Sequence, residues 1–137
     1  MAGSAGANAL TLGAGNDTVH GAGGADAIYA GAGDDVIDYW GSEATIDGGT
    51  GTNNLMLMAA GTFDLSATDQ SIGDITSLHN IQNIDGSGLS ALQPVILTGS
   101  SDANSLIGGA GNDTLDGKGG ADTLNGGAGN DTLTYRG

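Results

Sequence analysis

GGAGNDTLD, GKGGADTLN and GGAGNDTLT follow one another without a break from Gly108 to Thr134. Each fits G-G-x-G-x-D-x-U-x, with U a large aliphatic residue; the second unit departs only at Lys118. Asp113, Asp122 and Asp131 stand nine apart, and so do Leu115, Leu124 and Leu133. The two halves of the unit ask for different backbones. Glycine reaches conformations closed to other residues, so the first half is a tight loop. The D-T-L-x half has strand chemistry, with the aliphatic pointing inward. Two units then make one eighteen-residue coil with loops on opposite edges. Loops of units i and i+2 stack, and their Asp carboxylates face one gap. At about 4 Å, two such charges repel by roughly 1 kcal/mol in water and about 4 at an effective dielectric near 20. A hard cation between them removes the repulsion. Calcium suits the place, because it takes six to eight oxygens, backbone carbonyls included, in flexible geometry.

On these residues the chain resembles the RTX (repeat-in-toxin) calcium-binding β-roll family. The resemblance implies a parallel β-roll, several bound calcium ions and loop glycines whose carbonyls complete each shell. It also implies a secreted protein that crosses the bacterial envelope unfolded by type I secretion. A Gly-rich linker would carry no phased Asp and Leu.

The register extends through six more units, Gly3 to Met56: GSAGANALT, LGAGNDTVH, GAGGADAIY, AGAGDDVID, YWGSEATID and GGTGTNNLM. Their inward aliphatics are Leu10, Val19, Ile28, Ile37, Ile46 and Leu55. Position six is less regular: Asn8, Asp17, Asp26, Asp35, Ala44 and Asn53. The core period thus outlasts the ligand period, and units 39–47 and 48–56 are expected to coil but to bind calcium weakly or not at all. Tyr39 and Trp40 stand where glycines should, so that loop is expected to bulge. Both rings then cover the edge of the roll, or, less simply, form a sugar-stacking platform.

From Leu57 to Leu97 the nonapeptide is lost, but strand-like pieces remain around Leu55, Thr62, Asn80 and Pro94. Alternation in Leu55-Met56-Leu57-Met58 puts leucines on one face and methionines on the other. Leu78, Ile81 and Ile84 recur every third residue. Residues 57–98 read as an irregular solenoid spacer, with a loop near Thr68 to Asp74 and a possible short helix near Ser87 to Leu92. The repeat returns at Gly99, with Asn104 at position six and Leu106 inward. The fold class expected is all-β: a β-roll block over 1–56, the spacer over 57–98 and a second block over 99–137, in one continuous domain.

The blocks copy each other. A shift of 96 residues carries Asn8 onto Asn104, Leu10 onto Leu106, and Asp17, Asp26 and Asp35 onto Asp113, Asp122 and Asp131. Tyr39 and Gly41 fall on Tyr135 and Gly137. The chain reads as a slice of a tandem array.

Pairing i with i+18 gives the expected sites. Asp17 with Asp35 and Asp113 with Asp131 are complete carboxylate pairs. Asn8 with Asp26, Asn104 with Asp122, and Asp35 with Asn53 are mixed. Asp26 with Ala44 is half a site. The resemblance adds Gly13, Gly15, Gly31, Gly33, Gly109, Gly111, Gly127 and Gly129, as carbonyl donors or as residues that permit the turn. Asp34 is either an extra ligand or a solvated loop acid.

Net charge is −14, with Lys118 and Arg136 the only basic residues, which argues against nucleic acid and anionic membranes as partners. Leu, Ile, Val and Phe make 26 of 137 residues, near the composition at which highly charged chains stay disordered. Cysteine is absent, so no disulfide holds a core this thin. Calcium remains as the cofactor, and without it the chain is expected to be largely disordered. No apolar run reaches transmembrane length. His20 and His79 have no zinc-like neighbours and the serines no nucleophile-elbow context, so no enzyme is expected. The function expected is a calcium-binding structural module of a large secreted bacterial protein, adhesin or surface-array. The alternatives are the repeat tail of a secreted lipase, protease or epimerase, and a solenoid face that binds carbohydrate or ice. Adjacent repeats are the expected partners, with end-to-end self-association through uncapped terminal coils.

Overall fold

The computed structural model describes residues 1–136. It is all β, with fourteen strands and no helix among the described residues. The N-terminal block contributes β1 (Ala9–Thr11), β2 (Thr18–Val19), β3 (Ala27–Tyr29), β4 (Val36–Tyr39), β5 (Thr45–Asp47) and β6 (Asn54–Leu57). The spacer holds β7 (Thr62–Asp64), β8 (Ser77–His79), β9 (Asn83–Asp85) and β10 (Ile96–Thr98). β11 (Ser105–Gly109), β12 (Thr114–Asp116), β13 (Thr123–Gly127) and β14 (Thr132–Thr134) complete the second block. Every strand–strand pairing is parallel. In the repeat blocks the partners lie eighteen residues apart, as Leu10 with Ile28 and Leu115 with Leu133. The coil of two nonapeptides is therefore real.

One face of the solenoid is a six-stranded sheet in the order β13-β11-β9-β6-β4-β2. It runs through the spacer without interruption. The other face is two four-stranded sheets, β1-β3-β5-β8 and β14-β12-β10-β7. Between these two sheets the chain doubles back. After β7 it returns antiparallel, with Phe63 opposite Ser71. The return leg bonds to both neighbours: Asp64 N–H to the Gln70 carbonyl at 3.0 Å, and Gln70 N–H to the Leu78 carbonyl at 2.9 Å. Gln70 adds side-chain bonds to the backbone of Leu65 and Ile81. The loop expected near 68–74 is the tip and return leg of this hairpin.

The hairpin has a consequence for the repeats. β7 and β8 fall on the same face, so every later strand is displaced by half a coil. Leu10 lies in the split face, whereas Leu106, its counterpart 96 residues on, lies in the six-stranded sheet. The two blocks are copies in sequence but are turned half a coil from each other about the solenoid axis.

The expected inward residues are the core. Val19, Ile28, Ile37, Ile46, Leu55, Leu106 and Leu115 are fully buried, and Leu10 and Leu124 nearly so. Leu133 is the exception, 39 % exposed, because no later strand covers β14. Leu55 and Leu57 are buried while Met56 and Met58 are not, as their alternation requires. The spacer's Leu78, Ile81 and Ile84 point inward too. The spacer also buries Phe63, Leu65, Leu89 and Val95, a second layer that the repeat blocks lack.

Three local readings change. Tyr39 is no surface ring: it ends β4, is buried, and packs edge-on against Phe63 with centroids 5.2 Å apart. Its hydroxyl donates to Asp74 at 2.5 Å; burial, and then that carboxylate, push its pKa up. Trp40 alone is exposed. The helix near 87–92 is instead a pair of turns, closed by Leu89 N–H to Gly86 and Gln93 N–H to Ser90. The first coil is covered at one edge, because Met1–Gly3 pairs with β2 through the Ala2–His20 bridge.

Candidate metal centre

The stacked loops along the two edges of the roll form the site. At one edge the loops 12–17, 30–35 and 48–53 lie in register through the bridges Ala14–Ala32–Thr50. Gly15 N–H donates to Ala32 O at 2.7 Å and Ala32 N–H to Gly13 O at 2.9 Å. The glycines are required by this stacking. Gly33 has φ +137°, and a Cβ there would strike the carbonyl of Gly15 one coil below. Gly129 stands in the same relation to Gly111.

Five of the six expected i, i+18 pairs are brought together by one recurring bond. The position-six backbone N–H of one coil donates to a side-chain oxygen of the next. Asn8 donates to Asp26 at 2.8 Å, Asp17 to Asp35 at 2.8 Å, Asp35 to Asn53 at 3.0 Å, Asn104 to Asp122 at 2.9 Å and Asp113 to Asp131 at 2.9 Å. Asp113 in turn receives the Val95 N–H at 2.9 Å. Ala44 offers no side chain, but its N–H and that of Thr45 reach the Asp26 carbonyl.

The half-coil displacement sorts these residues. One edge carries Asp17, Asp35, Asn53, Asn104 and Asp122; the opposite edge carries Asn8, Asp26, Asp113 and Asp131. Asp17 and Asp113, equivalent in sequence, thus face opposite ways. Gln82 bridges the first column across the spacer. Its side-chain oxygen takes the Asn53 N–H at 2.7 Å, and its own carbonyl takes the Asn104 amide at 2.8 Å. No repeat pattern marked it.

The bond just described uses one oxygen of each carboxylate. The second oxygens of Asp26, Asp35 and Asp113 are buried and have no hydrogen-bond partner. Burying an unpaired carboxylate oxygen is expensive, and nothing in the protein offsets it here. Those oxygens lie close to loop backbone: a Cβ on Gly21 would sit 2.7 Å from Asp26 Oδ2, and one on Gly108 would meet Asp113 Oδ2. The carbonyls of Gly15, Gly33 and Gly111 have no backbone hydrogen-bond partner among the described residues. Those of Gly13, Gly31 and Gly109 accept one loop N–H each, from Ala32, Thr50 and Ala128, which leaves a lone pair. Gly127 and Gly129 have φ of +92° and +126° and so permit the turn. Among the described residues no cluster of three or more His, Asp or Glu occurs. The donor set is therefore one or two carboxylates with backbone carbonyls, all of it hard oxygen. That fits calcium and gives thiol- or imidazole-seeking metals nothing. A bound ion would supply the positive charge that the partnerless oxygens of Asp26, Asp35 and Asp113 lack.

Other singled-out residues behave more simply. Asp34 is exposed, accepts the Thr52 N–H at 2.8 Å and donates its own N–H to Asn16, so it stitches loops. Asn112 and Asn130 repeat that stitch in the second block. His20 bonds Asp38 at 2.6 Å. His79 lies between Ser77 Oγ and the Thr68 carbonyl. Glu43, which the sequence reading passed over, is fully buried and accepts the N–H groups of Trp40, Gly41 and Ser42.

No protein with a curated description matches this sequence. A family model does match: the RTX calcium-binding nonapeptide repeat, in four copies, over residues 2–37 and 98–133. Those segments contain the partnerless carboxylate oxygens and the stacked loops 12–17 and 30–35. The chain belongs to the RTX calcium-binding nonapeptide repeat family, and it is a calcium-binding repeat module built as a β-solenoid.

Proposed function

We propose that this module is structural: a length of calcium-stiffened solenoid within a large secreted bacterial protein of adhesin or surface-array type, reaching the outside by type I secretion. Its repeat coils order when they meet calcium there. The observation that carries this reading is the set of partnerless oxygens on Asp26, Asp35 and Asp113. Such oxygens oppose folding of the repeat coils until a cation arrives, so for those coils folding and calcium binding are one event. Extracellular calcium modules bind at about 10⁻⁴–10⁻³ M. A ligand at about 100 times its dissociation constant stabilises by ~2.7 kcal/mol per site, and a few sites match a typical domain stability of about 5–15 kcal/mol. We read the chain as non-catalytic, since among the described residues His79 joins Ser77 Oγ to the Thr68 carbonyl with no acid, and His20 bonds Asp38 with no nucleophile. The recurrence of the 3–41 pattern at 99–137 favours an array over the tail of an enzyme. The exposed Leu133 and Tyr135 suit a partner coil, from an adjacent repeat or a second copy. Circular dichroism in EGTA and then in millimolar calcium tests the reading. A large gain of β signal is expected; an unchanged β spectrum in EGTA overturns it.

A further inference from the structure

Asp35 and Asn53 occupy the same position of consecutive coils on the same edge. Their second atoms meet opposite fates. Asp35 Oδ2 is buried without a partner. Asn53 Nδ2 stands in the place of that oxygen and donates to the Asn80 carbonyl of the next coil at 2.9 Å. Its Oδ1 meanwhile accepts the Asp35 N–H, so the amide is satisfied on both sides. Asn104 is likewise satisfied on both sides, with other partners: its Nδ2 donates to the Gln82 carbonyl of the preceding coil at 2.8 Å and its Oδ1 accepts the Ser100 N–H of its own loop at 2.7 Å. An amide N–H₂ pointed at a carbonyl does the work of a cation held between a carboxylate and that carbonyl. On the opposite edge the loop 40–43 is closed by the Glu43 carboxylate, which takes three backbone N–H groups at 2.9–3.1 Å. Thr76 Oγ1 fastens the Glu43 carbonyl to the hairpin at 2.9 Å.

These devices share one part of the chain, the part that also buries Tyr39, Leu57, Phe63, Leu65, Ile81, Leu89 and Val95 beyond the single ladder of aliphatics. We infer that Asn53, Gln82, Asn104 and Glu43 make the middle of the solenoid, from loop 40–43 to β11, independent of calcium, so that it is the folded template on which the outer coils assemble their ions. Asn53 and Asn104 are then determinants of which loops take calcium: position-six residues that close a gap by hydrogen bonding instead of ligation. The inference rests on the calcium reading above and narrows it, since a calcium-free chain keeps a folded middle.

Hydrogen exchange resolved by segment, in EGTA and across a calcium titration, separates the two ideas. Protection of β6, β8, β9 and β10 in EGTA, with β1–β3 and β12–β14 protected only in calcium, is the expected result. Loss of protection in all strands together in EGTA overturns the template and leaves the calcium reading intact. Full protection of all strands in EGTA overturns both. Two variants sharpen the test. Asn53→Asp replaces the donor with a carboxylate, so protection of β6 and β9 in EGTA should fall about tenfold or more, and titration calorimetry should count one more calcium ion. Unchanged protection and stoichiometry overturn the role of Asn53. Glu43→Gln should weaken protection of the middle at unchanged calcium stoichiometry; one ion fewer would make Glu43 a ligand and overturn its role.

Discussion

The outer coils and the middle of this solenoid solve one problem in two ways. Both must hold stacked loops at 18-residue or similar intervals with little apolar material. The outer coils bury one aliphatic per strand and leave buried carboxylate oxygens without a hydrogen-bond partner. The middle buries a second layer around Phe63 and closes its loops with amides and with Glu43. Electrostatic closure by an ion makes a fold that depends on the medium. Closure by hydrogen bonds and burial makes one that does not.

The largest expected effect strikes the middle. Phe63→Ala removes a fully buried ring that packs on Tyr39; such truncations cost about 3–5 kcal/mol. The loss should appear at saturating calcium and in EGTA alike in thermal melts. A Phe63→Ala loss confined to calcium-free conditions would erase the distinction drawn above.

Loop acids come next. Asp35→Ala and Asp113→Ala each break a gap that has a second carboxylate, from Asp17 or Asp131. Asp26→Ala empties a gap whose neighbours are Asn8 and Ala44. The calcium midpoint for folding should therefore rise more for the first two, by about the tenfold that 1.4 kcal/mol represents. Equal midpoints for all three, followed by circular dichroism, would mean that paired carboxylates confer no advantage.

The smallest effect belongs to the last coil. Leu115→Ala should cost about 2–5 kcal/mol as a buried ladder residue, whereas Leu133→Ala, at a position 39 % exposed, should cost well under that. Leu133→Ser should also reduce calcium-dependent end-to-end association in sedimentation velocity. If the wild-type chain stays monomeric over a hundredfold concentration range, the uncovered β14 edge has no partner in solution.

Much of this was legible before any coordinates. The phased Asp and Leu of 108–134 give the coil length and the inward ladder, because loop and strand alternate every nine residues, while the parallel pairing is what the family resemblance implies. They also give the i, i+18 partners, five of which meet through a side-chain oxygen. Tyr39 was misread because its position in the repeat is a loop position, and only the hairpin at 62–72 provides the Phe63 and Asp74 that bury and bond it. Glu43 and Gln82 were invisible for the same reason: a residue that replaces a motif carries no motif.

The sequence by itself determined the eighteen-residue coil and the inward ladder of the repeat blocks, since those follow from local period and side-chain chemistry. Only the tertiary structure decided that the two blocks face opposite ways. That depends on β7 and β8 sharing one face, and whether a strand of three residues crosses the roll or doubles back is set by Gln70 bonding Leu65 and Ile81 across the hairpin. Such long-range pairing leaves no period for a sequence to show.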